Sequence, residues 1–174
     1  MSWRQWLAVT SLLCAACGGT DRTGDNSDGG GGSCPAYLVP AGTDLTQPAV
    51  SFKNDVMKLF NNNCGLSTCH GSVTAPEGGL FLGAESAMRS DAAAVHAGLV
   101  GHLSSELGSM PFVTASDPSK SYLMHKLDGD QCQYNAQCSG KSCLSLMPSG
   151  GTQLLPVATR DVVRRWIAQG AQNN

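Results

Sequence analysis

SFKNDVMKLFNNNCGLSTCH, residues 51–70, sets a helix signal directly against a cluster of reactive side chains. Ser51 is a good helix N-cap. Phe52, Val56, Leu59 and Phe60 then recur at i, i+4, i+7 and i+8, which gives that helix one apolar stripe to bury. Asn61-Asn62-Asn63 is expected to end it, and Cys64 follows at once. Four residues separate Cys64 from Cys69, and His70 stands beside the second thiol.

A cysteine followed directly by histidine is the informative pair. Covalent haem attachment uses two thiols, which form thioethers with the vinyl groups, and a histidine next to the second thiol, which binds the iron from one side. The usual spacing is C-x-x-C-H, whereas this chain reads C-x4-C-H, with Gly65-Leu66-Ser67-Thr68 between the thiols. Two additional residues can bulge outward while both sulfurs still reach one ring.

Downstream of the pair, Pro76 and the glycines between Gly71 and Gly83 indicate loop. Ser86 to Leu103 reads as helix in pieces, interrupted at Gly98 and Gly101. Asp117-Pro118-Ser119 opens a short helix, Ser119 to Leu127, with Tyr122, Leu123 and Leu127 apolar. Gly129 to Ser145 is a cysteine-bearing loop. Thr159 is expected to cap a last helix, Arg160 to Gln169, with Val162, Val163, Trp166 and Ile167 as its stripe and Gly170 as its stop. The fold class that follows is mostly α and loop-rich, with two amphipathic helices bracketing an irregular middle.

The resemblance is wider than the motif. The helix before Cys64, Cys69-His70-Gly71, Gly78-Gly79-Leu80, Asp117-Pro118-Ser119-Lys120-Ser121-Tyr122-Leu123, Met147-Pro148-Ser149-Gly150-Gly151 and Arg165-Trp166-Ile167-Ala168-Gln169-Gly170-Ala171 occur in that order. Together they resemble the cytochrome c-like domains of bacterial secreted proteins. The resemblance implies one haem c, thioethers at Cys64 and Cys69, and His70 as one axial ligand of the iron. It implies that the first and last helices cross and pack, setting Phe60 against Trp166, and that Met147 is the distal ligand. His125, His96 and His102 are the alternatives for that position, while Met110 reads as packing. With both axial positions taken, the expected function is electron transfer to a redox partner rather than catalysis.

The rest of the chain bounds this reading. An apolar run from Trp6 to Ala16 is too short to span a bilayer and reads as a secretion signal, residues 1–16. Ala15-Ala16-Cys17 resembles a bacterial lipobox, so Cys17 is the expected lipidation site, anchoring an exported chain to a membrane in the periplasm or at the cell surface. Residues 18–33, GGTDRTGDNSDGGGGS, contain no hydrophobic side chain and form, with Cys17, a linker expected to span on the order of 20–25 Å. Residues 34–174 make one domain.

Aromatic residues are 6% and charged residues 14% of the chain, which leaves a small core in need of a staple. Cys34, Cys132, Cys138 and Cys143 are the disulfide candidates, open to three pairings, and Cys132 to Cys143 is the loop they would clamp. A net charge of −2 with scattered basic residues argues against nucleic acid as a partner. No serine sits in a G-x-S-x-G elbow, and Gly29 to Gly32 lacks the lysine of a phosphate loop. The competing readings are a haem-free, disulfide-stabilised lipoprotein acting as a binding or structural module, a zinc site built on Cys64, Cys69 and His70, and a five-coordinate haem sensor or peroxidase-like enzyme.

Overall fold

The computed structural model describes residues 34–84, 91–150 and 153–174. The expected secretion signal, Cys17 and the expected linker lie outside the described residues. Four α-helices carry the structure: α1 (Met57–Asn63), α2 (Ala92–Leu99), α3 (Tyr122–Asp128) and α4 (Val157–Ala168). Among the described residues there is no strand. Two isolated bridges, Val100 with Val113 and Leu103 with Pro111, steady the chain between α2 and α3. No helix of the described residues is long and apolar enough to cross a membrane.

The first helical segment begins as expected but winds differently. The Ser51 hydroxyl accepts from the Asn54 N–H, and Phe52–Val56 form a π-helical turn that runs into α1. From the other end of the chain, the Asn174 carbonyl accepts from the Lys53 N–H at 2.9 Å and its side-chain oxygen accepts from the Phe52 N–H at 2.7 Å. Donors left orphaned at a helix start are thereby satisfied. The helix ends within the asparagine run as expected: Asn63 is the last residue of α1 and Cys64 is its C-cap.

The ring that meets Trp166 is Phe52, with centroids 4.9 Å apart, and not Phe60 as expected. Phe60 lies eight residues further on, about 12 Å along a helix axis, and lines a cavity instead. Around the Phe52–Trp166 contact, Val56, Met57, Val95, Leu99, Met124, Val163 and Ile167 complete the core, all of them fully buried.

Other boundaries shift for local reasons. Asp117 caps only a 3-10 turn, Pro118–Lys120, and the extended backbone of Ser121 separates that turn from α3, so Ser119 to Leu127 is not one helix. Gly129 ends α3 in the left-handed conformation at φ 73°. Gly98 lies inside α2 without interrupting it, and residues 86–90 of the expected helix fall outside the described residues. α4 starts three residues before the expected start at Arg160: Pro156 is its N-cap residue, and its carbonyl accepts from Thr159 and Arg160. Thr159 is thus within the first turn and does not cap. Gly170, at φ 97°, stops α4 as expected.

α3 and α4 are joined by charge. Arg164 is fully buried and reaches both oxygens of Asp128 at 2.7 and 2.6 Å, while also pairing with Asp161; Arg160 pairs with Asp128 as well. Removing one partner from a buried ion pair typically costs about 3–5 kcal/mol. Two disulfides complete the frame. Cys34–Cys132 ties the leading segment to the turn after α3, and Cys138–Cys143 closes a loop of its own.

Candidate functional site

α1 delivers Cys64 to the rim of a cavity of about 410 Å³, which Cys69, His70 and Met147 also line. The Cys64 N–H still bonds the Phe60 carbonyl, so the first thiol is held by the helix end. The chain then turns back on itself: Cys69 and Gly71 both donate to Leu66 O at 2.9 Å, and the His70 N–H donates to Cys64 O at 3.1 Å. Gly71 fits only as glycine, because an added Cβ would stand 2.0 Å from Gly65 O. Glu77 donates to Cys69 O and Leu82 to His70 O, which fastens the loop to the chain that follows.

The His70 ring is oriented by one hydrogen bond. Its Nδ1 lies 2.8 Å from the Leu80 carbonyl. A carbonyl only accepts, so Nδ1 carries a proton and, in the neutral ring, Nε2 holds the lone pair. Among the described residues nothing hydrogen-bonds Nε2, on a ring that lines the cavity. Metal-ligating histidines are commonly held in this way.

Cys64 and Cys69 are free thiols, the first buried and the second half-buried. Burial, with Cys69 nearby, pushes the Cys64 thiol up to about 12. It is therefore neutral across the physiological range. Met147 enters from the chain before α4, its N–H donating to Lys126 O at 2.8 Å. Phe60, Leu80, Leu82, Phe112, Leu123 and Leu127 supply most of the apolar wall.

One part of the wall is polar, and sequence reading missed it. Tyr122 donates to Glu106 Oε2 at 2.6 Å, and Lys126 Nζ donates to the same oxygen at 3.1 Å and to Cys143 O at 2.8 Å. Burial lowers Lys126 against the opposing pull of Glu106. Burial, reinforced by the Glu106 carboxylate, raises Tyr122 and keeps it a neutral donor. Tyr122 and Lys126 share a helix face at i, i+4, a signal that was available. Glu106 arrives from a loop and left no such trace.

The alternative histidines are occupied elsewhere. His125 is 1% exposed, with Nδ1 3.0 Å from Asp130 and Nε2 3.1 Å from Ser119 O. His96 Nε2 lies 2.7 Å from Ala171 O, and its ring packs edge-on against Phe52. His102 is exposed and does not line the cavity. Met110 packs in a small cluster with Leu107 and Tyr122.

A zinc site would need a fourth ligand beside Cys64, Cys69 and His70. Every other described cysteine is in a disulfide. Among the described residues no group of three or more His, Cys, Asp or Glu side chains is arranged to hold a metal ion. The cavity's donor set is two thiols, one imidazole with a defined tautomer and one thioether, in an apolar setting. That set fits a haem held by thioethers and two axial ligands. Against known proteins, the chain matches no family model, no curated protein and no solved structure.

Proposed function

We propose that this chain is a c-type cytochrome-like electron carrier, with one haem joined to Cys64 and Cys69 and its iron bound by His70 and Met147. The observation that carries the reading is the His70 ring, whose Nδ1–H is committed to Leu80 O while Nε2 keeps its lone pair beside two free thiols. When bound, the haem supplies one-electron redox chemistry. Cys64 and Cys69 each offer an S–H to add across a vinyl group. His70, steadied by Leu80, presents Nε2 in one orientation, and Met147, steadied by Lys126 O, presents its thioether. Phe60, Leu80, Leu82 and Leu127 exclude water, which together with thioether ligation favours a raised potential.

His70 and Met147 together leave no coordination position for a substrate, so the chain acts as a carrier rather than a catalyst. Export, a lipid on Cys17 and the linker over residues 18–33 would hold the domain near a membrane, within reach of a protein redox partner.

Expression of the mature domain in a host with haem-attachment machinery, followed by a haem stain of a denaturing gel and a reduced visible spectrum, tests the reading. A stained band is expected. An unstained band, with the machinery present, returns the chain to a haem-free disulfide-stabilised module. In the stained protein, Met147→Ala should abolish the weak red absorption of methionine ligation.

A further inference from the structure

Leu144 combines two features that rarely coincide in a leucine. Its backbone is left-handed, at φ 56°, a region costly for a bulky L-residue, and its side chain is 62% exposed. The same residue lines the cavity that is also lined by Cys64, Cys69, His70 and Met147.

The surroundings enforce this conformation from both sides. Cys143, immediately before, is fully buried in its disulfide with Cys138, and its carbonyl takes the Lys126 ammonium at 2.8 Å. The Cys143 N–H is held by Asn135 Oδ1 at 2.8 Å. The Leu144 N–H donates to Ser142 Oγ at 3.2 Å, and its carbonyl accepts from Gln131 Nε2 at 3.0 Å. Met147, three residues on, is anchored to Lys126 O. Strain of this kind persists only where the surrounding structure over-determines it, and it gathers at ligand clamps.

We propose that Leu144 is a cover over the cavity mouth, which closes against a bound haem on the Met147 side and keeps water and small ligands from the iron. The inference rests on the haem reading. Its exposure then has a reason: a bound haem, and not the protein, would bury this leucine. The residue positions and shields, and takes no part in bonding.

The haem-loaded full domain and its Leu144→Ala, Leu144→Gly and Leu144→Phe variants are titrated with imidazole in the ferric state, with reduction potential measured alongside and the thermal midpoint taken on the haem-free domain. Ala and Gly should bind imidazole about tenfold more tightly, the factor expected when a partly buried leucine side chain is lost. Their potentials should fall as water gains access, while Phe, which keeps an apolar cover, stays with the native protein. In the haem-free domain Leu144→Gly should keep or raise the thermal midpoint, because there the side chain is exposed and glycine accepts a positive φ. Haem-loaded variants that all bind imidazole as the native domain does overturn this inference alone. A haem-free midpoint that drops in Leu144→Gly as it would for a core leucine also overturns it, by placing the side chain in the protein's own packing. A domain that carries no haem overturns both this inference and the function on which it rests.

Discussion

Two loops place cysteines at the same spacing, Cys64 with Cys69 and Cys138 with Cys143, and the fold treats them in opposite ways. Cys138 and Cys143 are bonded, with Cα atoms 5.3 Å apart. Between them Gly140 and Lys141, both at positive φ, fold the chain back in a 3-10 turn, and Lys141 N–H closes onto Cys138 O. In the other loop the backbone bond opposite Cys64 is made by His70 and not by Cys69. Both sulfurs line the cavity as free thiols, with the imidazole beside them. Equal spacing thus yields a staple in one place and a pair of free thiols in the other.

The sharpest way to break that comparison is to remove each pair in turn. Cys64→Ala with Cys69→Ala should abolish the haem stain entirely, whereas Cys138→Ala with Cys143→Ala should keep it. A stain lost equally from both proteins would mean that the spacing motif carries no special role.

Loss of the long-range bridge should have the largest effect on stability. Cys34→Ser with Cys132→Ser opens a link across 98 residues, and the chain-entropy account expects a loss of about 4–5 kcal/mol in a urea unfolding measurement. The local Cys138–Cys143 bridge spans 5 residues, and its removal should cost only about 2 kcal/mol on the same account. Equal losses would show that the short bridge acts through native packing of Leu144 and Met147 rather than through the unfolded chain.

The smallest effect, taken per pH unit, is the titration of the Cys64 thiol. In the haem-free domain the buried Cys64 thiol is raised from its ordinary 9.0 to about 12. Above 9 the unfolded chain loses this proton while the folded chain keeps it, so stability falls as pH rises from about 9 towards 12. The slope is at most about 1.4 kcal/mol per pH unit, and urea midpoints of the native chain against Cys64→Ala across that range measure it. A matching pH dependence in Cys64→Ala would assign the loss to other groups. The bonded pair, having no thiol to titrate, contributes nothing of the kind.

Legibility in the sequence followed the range of the interactions. The stripe Phe52, Val56, Leu59 and Phe60 and the stop at Gly170 were readable because a helix repeats and a left-handed stop needs glycine. The 3-10 turn at Pro118–Lys120 and the early start of α4 were not, since each depends on a single residue's backbone, Ser121 in one case and Pro156 in the other. Met147 was named ahead of His125, His96 and His102, and it alone of the four lines the cavity. What took His125 and His96 away was Asp130, Ser119 O and Ala171 O, partners that no spacing rule could identify.

The sequence by itself determined a helical, loop-rich chain, the adjacency of Cys69 and His70, and the supply of cysteines for two bridges. These are properties of neighbours along the chain, where periodicity and covalent order act directly. Only the tertiary structure decided which cysteines bond, which ring nitrogen of His70 carries the proton, that Phe52 rather than Phe60 meets Trp166, and that Glu106, Tyr122 and Lys126 share one wall. Each of those depends on groups brought together from distant segments, where hydrogen-bond geometry and burial choose among partners that are equivalent in the sequence.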